Sequence, residues 1–337
     1  MSEKIGATSI KMKLIKDATS AQPVKVDDPS GIADNDWSQI DLVNPIDSNL
    51  MFVAGIAQHL SNKVFDMEFK FHQTALILEG EMVVQDKNTL NVFRAHKGDM
   101  FYWAPGLNIR MGGQFKAFFV RSPAAWRWIK TSEGKKRLNL FNIPNEIYYP
   151  GSPPEEIRDE LIQEGKNLPP GTIEYPKPGP LMKFIRDALG AEPIEVSDKT
   201  QMPMDRWRQV DLVKARDSDI MMVVGIAEHP INTMNKHIGY FYYHQAALII
   251  EGEMTTYDMN TGGVYKAKVG DLFYWGPGHR LRIGGQFKAF FVKTPIPFRW
   301  VNTVKGKVVL DMMELDHETR YPQSPPDETL SSLIEHA

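Results

Sequence analysis

The residues of this chain best suited to chemistry come in pairs. His72 and Gln73 open the run FHQTALILEGEM, and His244 and Gln245 open YHQAALIIEGEM, 172 residues further on. Tyr102 and Trp103 in GDMFYWAPG recur as Tyr274 and Trp275 in GDLFYWGPG, and Arg110 recurs as Arg282, each just before a double glycine. Histidine can take or give a proton near neutrality, and tyrosine can act as a general acid. His72, His244, Tyr102 and Tyr274 are therefore the candidate catalytic groups. Gln73, Gln245, Arg110, Arg282, Trp103 and Trp275 are the candidate substrate contacts, since a guanidinium grips a carboxylate or phosphate through two parallel hydrogen bonds. Only the second copy adds His237 and His279, which with His244 could make a three-histidine site for a divalent transition metal. No metal is expected in the first copy.

Each candidate also has a structural reading. Side chains alternate along a strand, so if Gln73 faces inward His72 faces out and packs at a contact between sheets or subunits, unless a bulge turns it in. Arg110 and Arg282 could pair with surface acids, the aromatic pairs could fill a core, and His237 and His279 could be solvated loop residues. His59 and His229, at the ends of GIAQH and GIAEH, read as surface or interface residues. Glu79, Glu81, Glu251 and Glu253 surround a turn, where carboxylates are commonly solvated. Lys116 and Lys288, in QFKAFFV, could face either way.

The elements that must position these residues are strands. LMFVAGIAQH, FHQTALILEGEMVVQD, NVFRAHKGDMFYWAPG and QFKAFFVRSP are rich in Val, Ile, Phe, Tyr and Trp and are punctuated by turn signals such as DKNT and DMNTGG. Nearly the whole pattern occurs twice. WSQIDLV at Trp37 matches WRQVDLV at Trp207 with an offset of 170, so the second copy carries two extra residues between Gly225 and His244. A repeat of that length is a whole domain rather than a solenoid unit. PPEEIRDELIQEG reads as a short helix closing the first copy, followed by a Pro-rich linker. This places the domains at 1–165 and 166–337.

Composition narrows the classes of partner. Lys and Arg number 39 against 42 Asp and Glu, which gives no support for nucleic acid or a membrane surface as partner. There is no cysteine, so disulfides, thiolate catalysis and sulfur-ligated zinc are excluded. The N-terminus lacks the apolar core of a signal peptide, and no apolar run is long enough to span a bilayer, so a cytoplasmic protein is expected. A small-molecule ligand and a second copy of the chain are the expected partners.

The order of pieces, a strand ending in LEGE and then GD, four residues and a Pro-Gly turn, resembles the cupin superfamily. It is present in both copies, and the first motif is similar to that of ethanolamine-utilisation EutQ-type proteins. The resemblance implies an all-β chain of two tandem double-stranded β-helix (jelly-roll) barrels with short terminal helices. It also implies a metal held by three histidines and a glutamate, yet here the glutamate slot falls on Gln73 and Gln245, and two histidine slots fall on Met67 and Phe69, then Gly239 and Phe241. The third falls on Ile109 and Leu281, or on Arg110 and Arg282, according to whether one counts from the Gly-Asp or from the proline. The expected function is action on a small anionic organic molecule within the barrel, of lyase, isomerase or oxygenase type. The alternative is a non-catalytic, metal-free ligand-binding or assembly protein.

Overall fold

The computed structural model describes residues 12–25, 36–44, 47–48, 52–69, 71–122, 181–195, 206–218, 222–236, 238–241, 243–294 and 326–329, together with the backbone of two hairpins at 126–139 and 298–311 less their turns. The helix expected over 153–165, the boundary at 165 and His237 lie outside these residues. The chain is almost entirely antiparallel strand. Helical segments among the described residues are single 3-10 turns such as Ala18–Ser20 and Ala188–Gly190.

Each copy forms two sheets facing one another. In the first, the long sheet runs Met182–Ile185, Met100–Trp103, His72–Gly80, Phe115–Ser122, Val53–His59, Trp37–Val43 and Val24–Lys25, and the short one runs Glu328–Thr329, Asn91–Ala95, Met82–Asp86, Asn108–Gly112 and Phe65–Glu68. The second copy repeats this order, except that no described strand corresponds to Glu328–Thr329 and that one continuous strand, His244–Asp258, passes from the long sheet into the short one. The two extra residues fall between the strands Val223–His229 and Gly239–Tyr240. Turns form where their chemistry directs: Asp86 accepts from Asn88 N–H (2.8 Å) and Asp258 from Asn260 N–H (2.9 Å), closing DKNT and DMNTGG.

Strands such as Phe115–Ser122 are buried on both faces, which is why they lack the apolar–polar alternation of a half-exposed strand. One face fills the barrel: Phe115 and Ala117 belong to the interior cluster with Phe69, Ile77, Phe101 and Trp103. The other face, with Phe118 and Val120, joins Ile226, Leu248, Phe290 and Val292 of the second copy in a core shared between the barrels. Phe118 meets Phe290 edge to face at 6.3 Å, and Thr294 Oγ1 donates to Ser122 Oγ at 2.8 Å. Both pairs are the same position of each repeat, so the two barrels meet about a pseudo-two-fold axis, as copies in an isologous dimer do.

That symmetry extends to exchanged strands. Lys13–Ile15, from the head of the first copy, pairs with Leu272–Tyr274 of the second, and Met182–Ile185 pairs with Met100–Trp103 of the first. The aspartates of the two Gly-Asp motifs anchor them. Asp271 Oδ1 accepts from Asp17 N–H and Asp99 Oδ1 from Asp187 N–H, each at 2.8 Å.

Candidate functional site

A row of three residues crosses the interior of each long sheet. In the second barrel Gln245 stands opposite Trp275 on one neighbouring strand and Lys293 on the other. In the first, Gln73 stands opposite Trp103 and Arg121. Directly opposed side chains share a face within about 5 Å at Cβ, and all six residues are buried. A second pair enters from the repeated WxQxDLV strand. Gln39 and Asp41 are hydrogen-bonded (Nε2 to Oδ1, 2.7 Å), as are Gln209 and Asp211 (2.7 Å), and Trp207 Nε1 donates to Gln209 Oε1 at 3.3 Å.

The two interiors differ in how completely they satisfy themselves. In the first, the Arg121 guanidinium lies 5.0 Å and 4.7 Å over the rings of Phe71 and Phe119 and donates to Gln39 Oε1 at 3.4 Å. Burial draws its pKa down to about 10, opposed by the charge of Asp41. Burial raises the Asp41 carboxyl, opposed by Arg121 and by the Gln39 hydrogen bond. In the second barrel the shorter Lys293 replaces this fork, its Nζ 4.4 Å from the Phe291 ring centroid and 5.8 Å from that of Tyr243. Among the described residues, Trp275 Nε1, Gln245 Oε1 and Thr256 Oγ1 have no hydrogen-bond partner. Trp103 Nε1 shares that state in the first barrel, but apolar Val84 stands where the second has Thr256.

Several interior residues are smaller in the second barrel. Gly239 replaces Met67, Ile283 replaces Met111, and the exchanged strand contributes Leu14 where the first barrel receives Phe184. A cavity of about 20 Å³ remains, lined by Gln209, Gln245, Lys293, Trp275, Met254 and Phe241 among others. That is room for roughly one water. Anything larger must displace wall atoms to enter, and Met254 is the most adaptable part of the wall.

The other sequence candidates lie elsewhere. His72 and His244 face the shared core between the barrels, where Nδ1 of each lies 2.8 Å from the hydroxyl of Tyr102 or Tyr274. Phe52 of the first barrel stacks on His244 at 6.2 Å. Burial, and secondarily His279, lowers the His244 pKa to about 3, and burial with Asp47 nearby raises that of Tyr274. His279 occupies the place of Leu107, with Nδ1 2.8 Å from Gly276 O. Among the described residues no three His, Asp or Glu stand together in a metal-binding group.

The inward placement weighed for Arg110 and Arg282 is corrected. Ile109 and Leu281 fill the interiors, so by alternation the arginines point out. Arg110 Nε donates to Asp66 Oδ1 and Arg282 Nε to the Asn235 carbonyl, each at 2.9 Å. The surface reading of His59 and His229 is also corrected. Both are buried with Nδ1 2.7 Å from the carbonyl of Gly113 or Gly285, holding the double-glycine turns. The Glu-Gly-Glu turns are at the surface: Glu79, Glu251 and Glu253 are exposed and Glu81 is half-buried. Lys288 faces away from the interior, donating to the Leu189 carbonyl at 3.0 Å.

No family model matches the chain, and no curated protein matches it. Solved structures do. A glyoxylate-induced protein from Pseudomonas aeruginosa, named as putative, is 13% identical with a TM-score of 0.51, over 87% of this chain and 91% of that one. Protein Ylba from E. coli, assigned to DUF861, is 12% identical with a TM-score of 0.50, over 85% and 92%. A mutant of Bacillus subtilis oxalate decarboxylase is 14% identical with a TM-score of 0.43, over 76% and 71%. The chain has a bicupin fold. At these identities the likeness concerns the fold alone.

Within this bicupin the usual metal-ligand positions hold no suitable donor set. The residues there are Gln73, Met67, Phe69 and Ile109 in one barrel and Gln245, Gly239, Phe241 and Leu281 in the other. A neutral amide among apolar side chains does not fit a transition metal. Lys293, Asp211 and Thr256 were not singled out from the sequence. The signal for Asp211 and Lys293 was present in WRQVDLV and FKAFFVKT, where polar residues recur two apart or end an apolar strand on the parity of its inward members.

Proposed function

We propose that the bicupin binds a small carboxylic acid in its C-terminal barrel and acts on it by lyase or isomerase chemistry, while the N-terminal barrel serves as scaffold. The observation that carries this reading is the cluster of Trp275 Nε1 and Gln245 Oε1, buried without partners beside Lys293 and the cavity. A buried donor or acceptor left unsatisfied costs about 1–3 kcal/mol, and a polar ligand removes that cost. A carboxylate would accept from the Trp275 indole N–H and neutralise the Lys293 ammonium, and a ligand hydroxyl would donate to Gln245 Oε1. The surrounding Phe241, Phe287 and Phe291 exclude water and strengthen each contact.

A second reading, a metal-free assembly protein with no chemistry, is favoured by the apolar interior of the first barrel, where Phe69 and Phe71 are buried and Met67 packs against them. Titration calorimetry on the full chain with formate, acetate, glycolate and lactate separates the two. Saturable binding of at least one acid, weakened tenfold or more in Lys293→Met, is the expected result. No heat with any of them, or binding indifferent to Lys293→Met, overturns the proposal and leaves the assembly reading.

A further inference from the structure

The interiors of the two barrels differ most tellingly at one matched position. Arg121 and Lys293 occupy the same place on the same strand, opposite Gln73 and Gln245. A guanidinium there can serve only as a fixed cation, whereas a lysine amine can also form covalent bonds to carbonyl carbon. Lys293 is 2% exposed, lies against the rings of Phe291 and Tyr243, and lines the cavity. Resting on the carboxylate-binding reading above, we infer that Lys293 is a nucleophile that captures 2-oxo acids of two or three carbons as an imine.

The neighbours suit each stage. The acid's carboxylate accepts from Trp275 Nε1, placing the adjacent carbonyl carbon toward the lysine across the width of one intervening strand. The ammonium first gives a proton to a carboxylate. Two are at hand, that of the acid and that of Asp211, which stands behind the cavity-lining Gln209. The free amine then forms the C–N bond while the carbonyl oxygen becomes a hydroxyl, and Gln245 Oε1 accepts from that hydroxyl. The returned proton lets it leave as water. Overall, lysine ammonium and carbonyl become protonated imine and water, with no oxidant or reductant consumed. The positive charge of the lysine, given up in the free amine, returns in the protonated imine opposite the bound carboxylate. The electron-withdrawing iminium then assists bond cleavage or proton loss at the neighbouring carbon, which is the lyase or isomerase chemistry assigned to this site. The preference for two or three carbons follows from the cavity of about 20 Å³, which holds roughly one water, so that the smallest acids ask the least movement of Met254 and the rest of the wall.

The test is reductive trapping. The full chain is incubated with pyruvate and sodium cyanoborohydride and mapped by peptide mass spectrometry, with lactate, which lacks the carbonyl, as control. The expected result is one reduced adduct per chain, on Lys293, absent with lactate. Lys293→Arg, which restores the residue of the first barrel, should keep the native melting transition and show at least tenfold less labelling. Calorimetric binding of pyruvate and lactate with no adduct at Lys293, or label spread over surface lysines with Lys293 unmodified, overturns the covalent role and leaves the carboxylate-binding reading intact. Absence of both adduct and binding heat overturns the two together.

Discussion

Thr256 offers a direct measure of what an unpartnered polar group costs inside the C-terminal barrel. Its side chain is fully buried and its hydroxyl has no partner among the described residues, whereas the first barrel has Val84 at the matching position in an interior that is apolar there. Thr256→Val keeps the shape and removes the unsatisfied hydroxyl. An unpaired hydroxyl in an apolar site costs about 1–3 kcal/mol in protein mutational series. The variant should therefore be more stable than the wild type by roughly 1–2 kcal/mol, allowing for imperfect packing of the new methyl. For a domain of the size of one barrel that amounts to a rise of about 2–8 °C in melting temperature, at roughly 2–4 °C per kcal/mol. Val84→Thr in the first barrel should lower stability by a similar amount. Thermal and urea unfolding of the three proteins make the comparison. A Thr256→Val variant that is less stable than wild type would show that the hydroxyl is satisfied in the native barrel. The argument from unpartnered polar groups would then fail at this residue.

Three further outcomes are expected. Burial holds His244 neutral with a pKa of about 3 against 6.5, so the unfolded chain binds more protons between those values. Stability then falls as pH drops from about 6.5 toward 3, and His244→Asn should flatten the pH dependence of the urea midpoint in that window. Arg110→Ala breaks a partly exposed pair with Asp66 and should cost no more than about 1 kcal/mol. The same variant should leave acid binding unchanged in calorimetry, whereas a large loss of binding would place the arginine in the site after all. Arg110 and Lys87 hold the Asp66 carboxyl below its ordinary range, so that small contribution is present above the carboxylate range and is lost as pH falls through it. Leu14, in the exchanged strand, is half-buried, so Leu14→Ala should destabilise the C-terminal barrel by about 1–2 kcal/mol, below the range for a fully buried leucine, as read by urea unfolding, although the substitution lies at the opposite end of the sequence.

Some of this was legible in the sequence, for reasons of local chemistry. Alternation and β-rich composition specify strands, and the Asp-x-Asn-Thr signals specify turns, because both depend on neighbours a few residues away. Matched motifs at a constant offset specify two like domains. Alternation also ties Gln73 to one face and His72 to the other, and once Ile109 is seen in the interior the same rule sends Arg110 outward. What alternation does not specify is which face looks where. Both faces of the long sheets are buried, one in a barrel and one against the other barrel, so hydrophobicity gives no contrast to orient them. His72 and Tyr102 read as candidate catalysts for that reason.

Only the tertiary structure decided that His244 packs beneath Phe52 of the other barrel, that residues 13–15 complete a sheet more than 250 residues away in sequence, and that Lys293, Gln245 and Trp275 share one row. Each depends on strand pairing between distant segments. Pairing register is settled by packing of whole sheets, and the energy that selects it is spread over contacts no short stretch contains. The sequence by itself determined a duplicated β-barrel with polar residues inside. The exchange of strands about the pseudo-two-fold axis put Phe184 into one interior and Leu14 into the other, while the cavity beside the lysine of the second is lined by residues of its own copy.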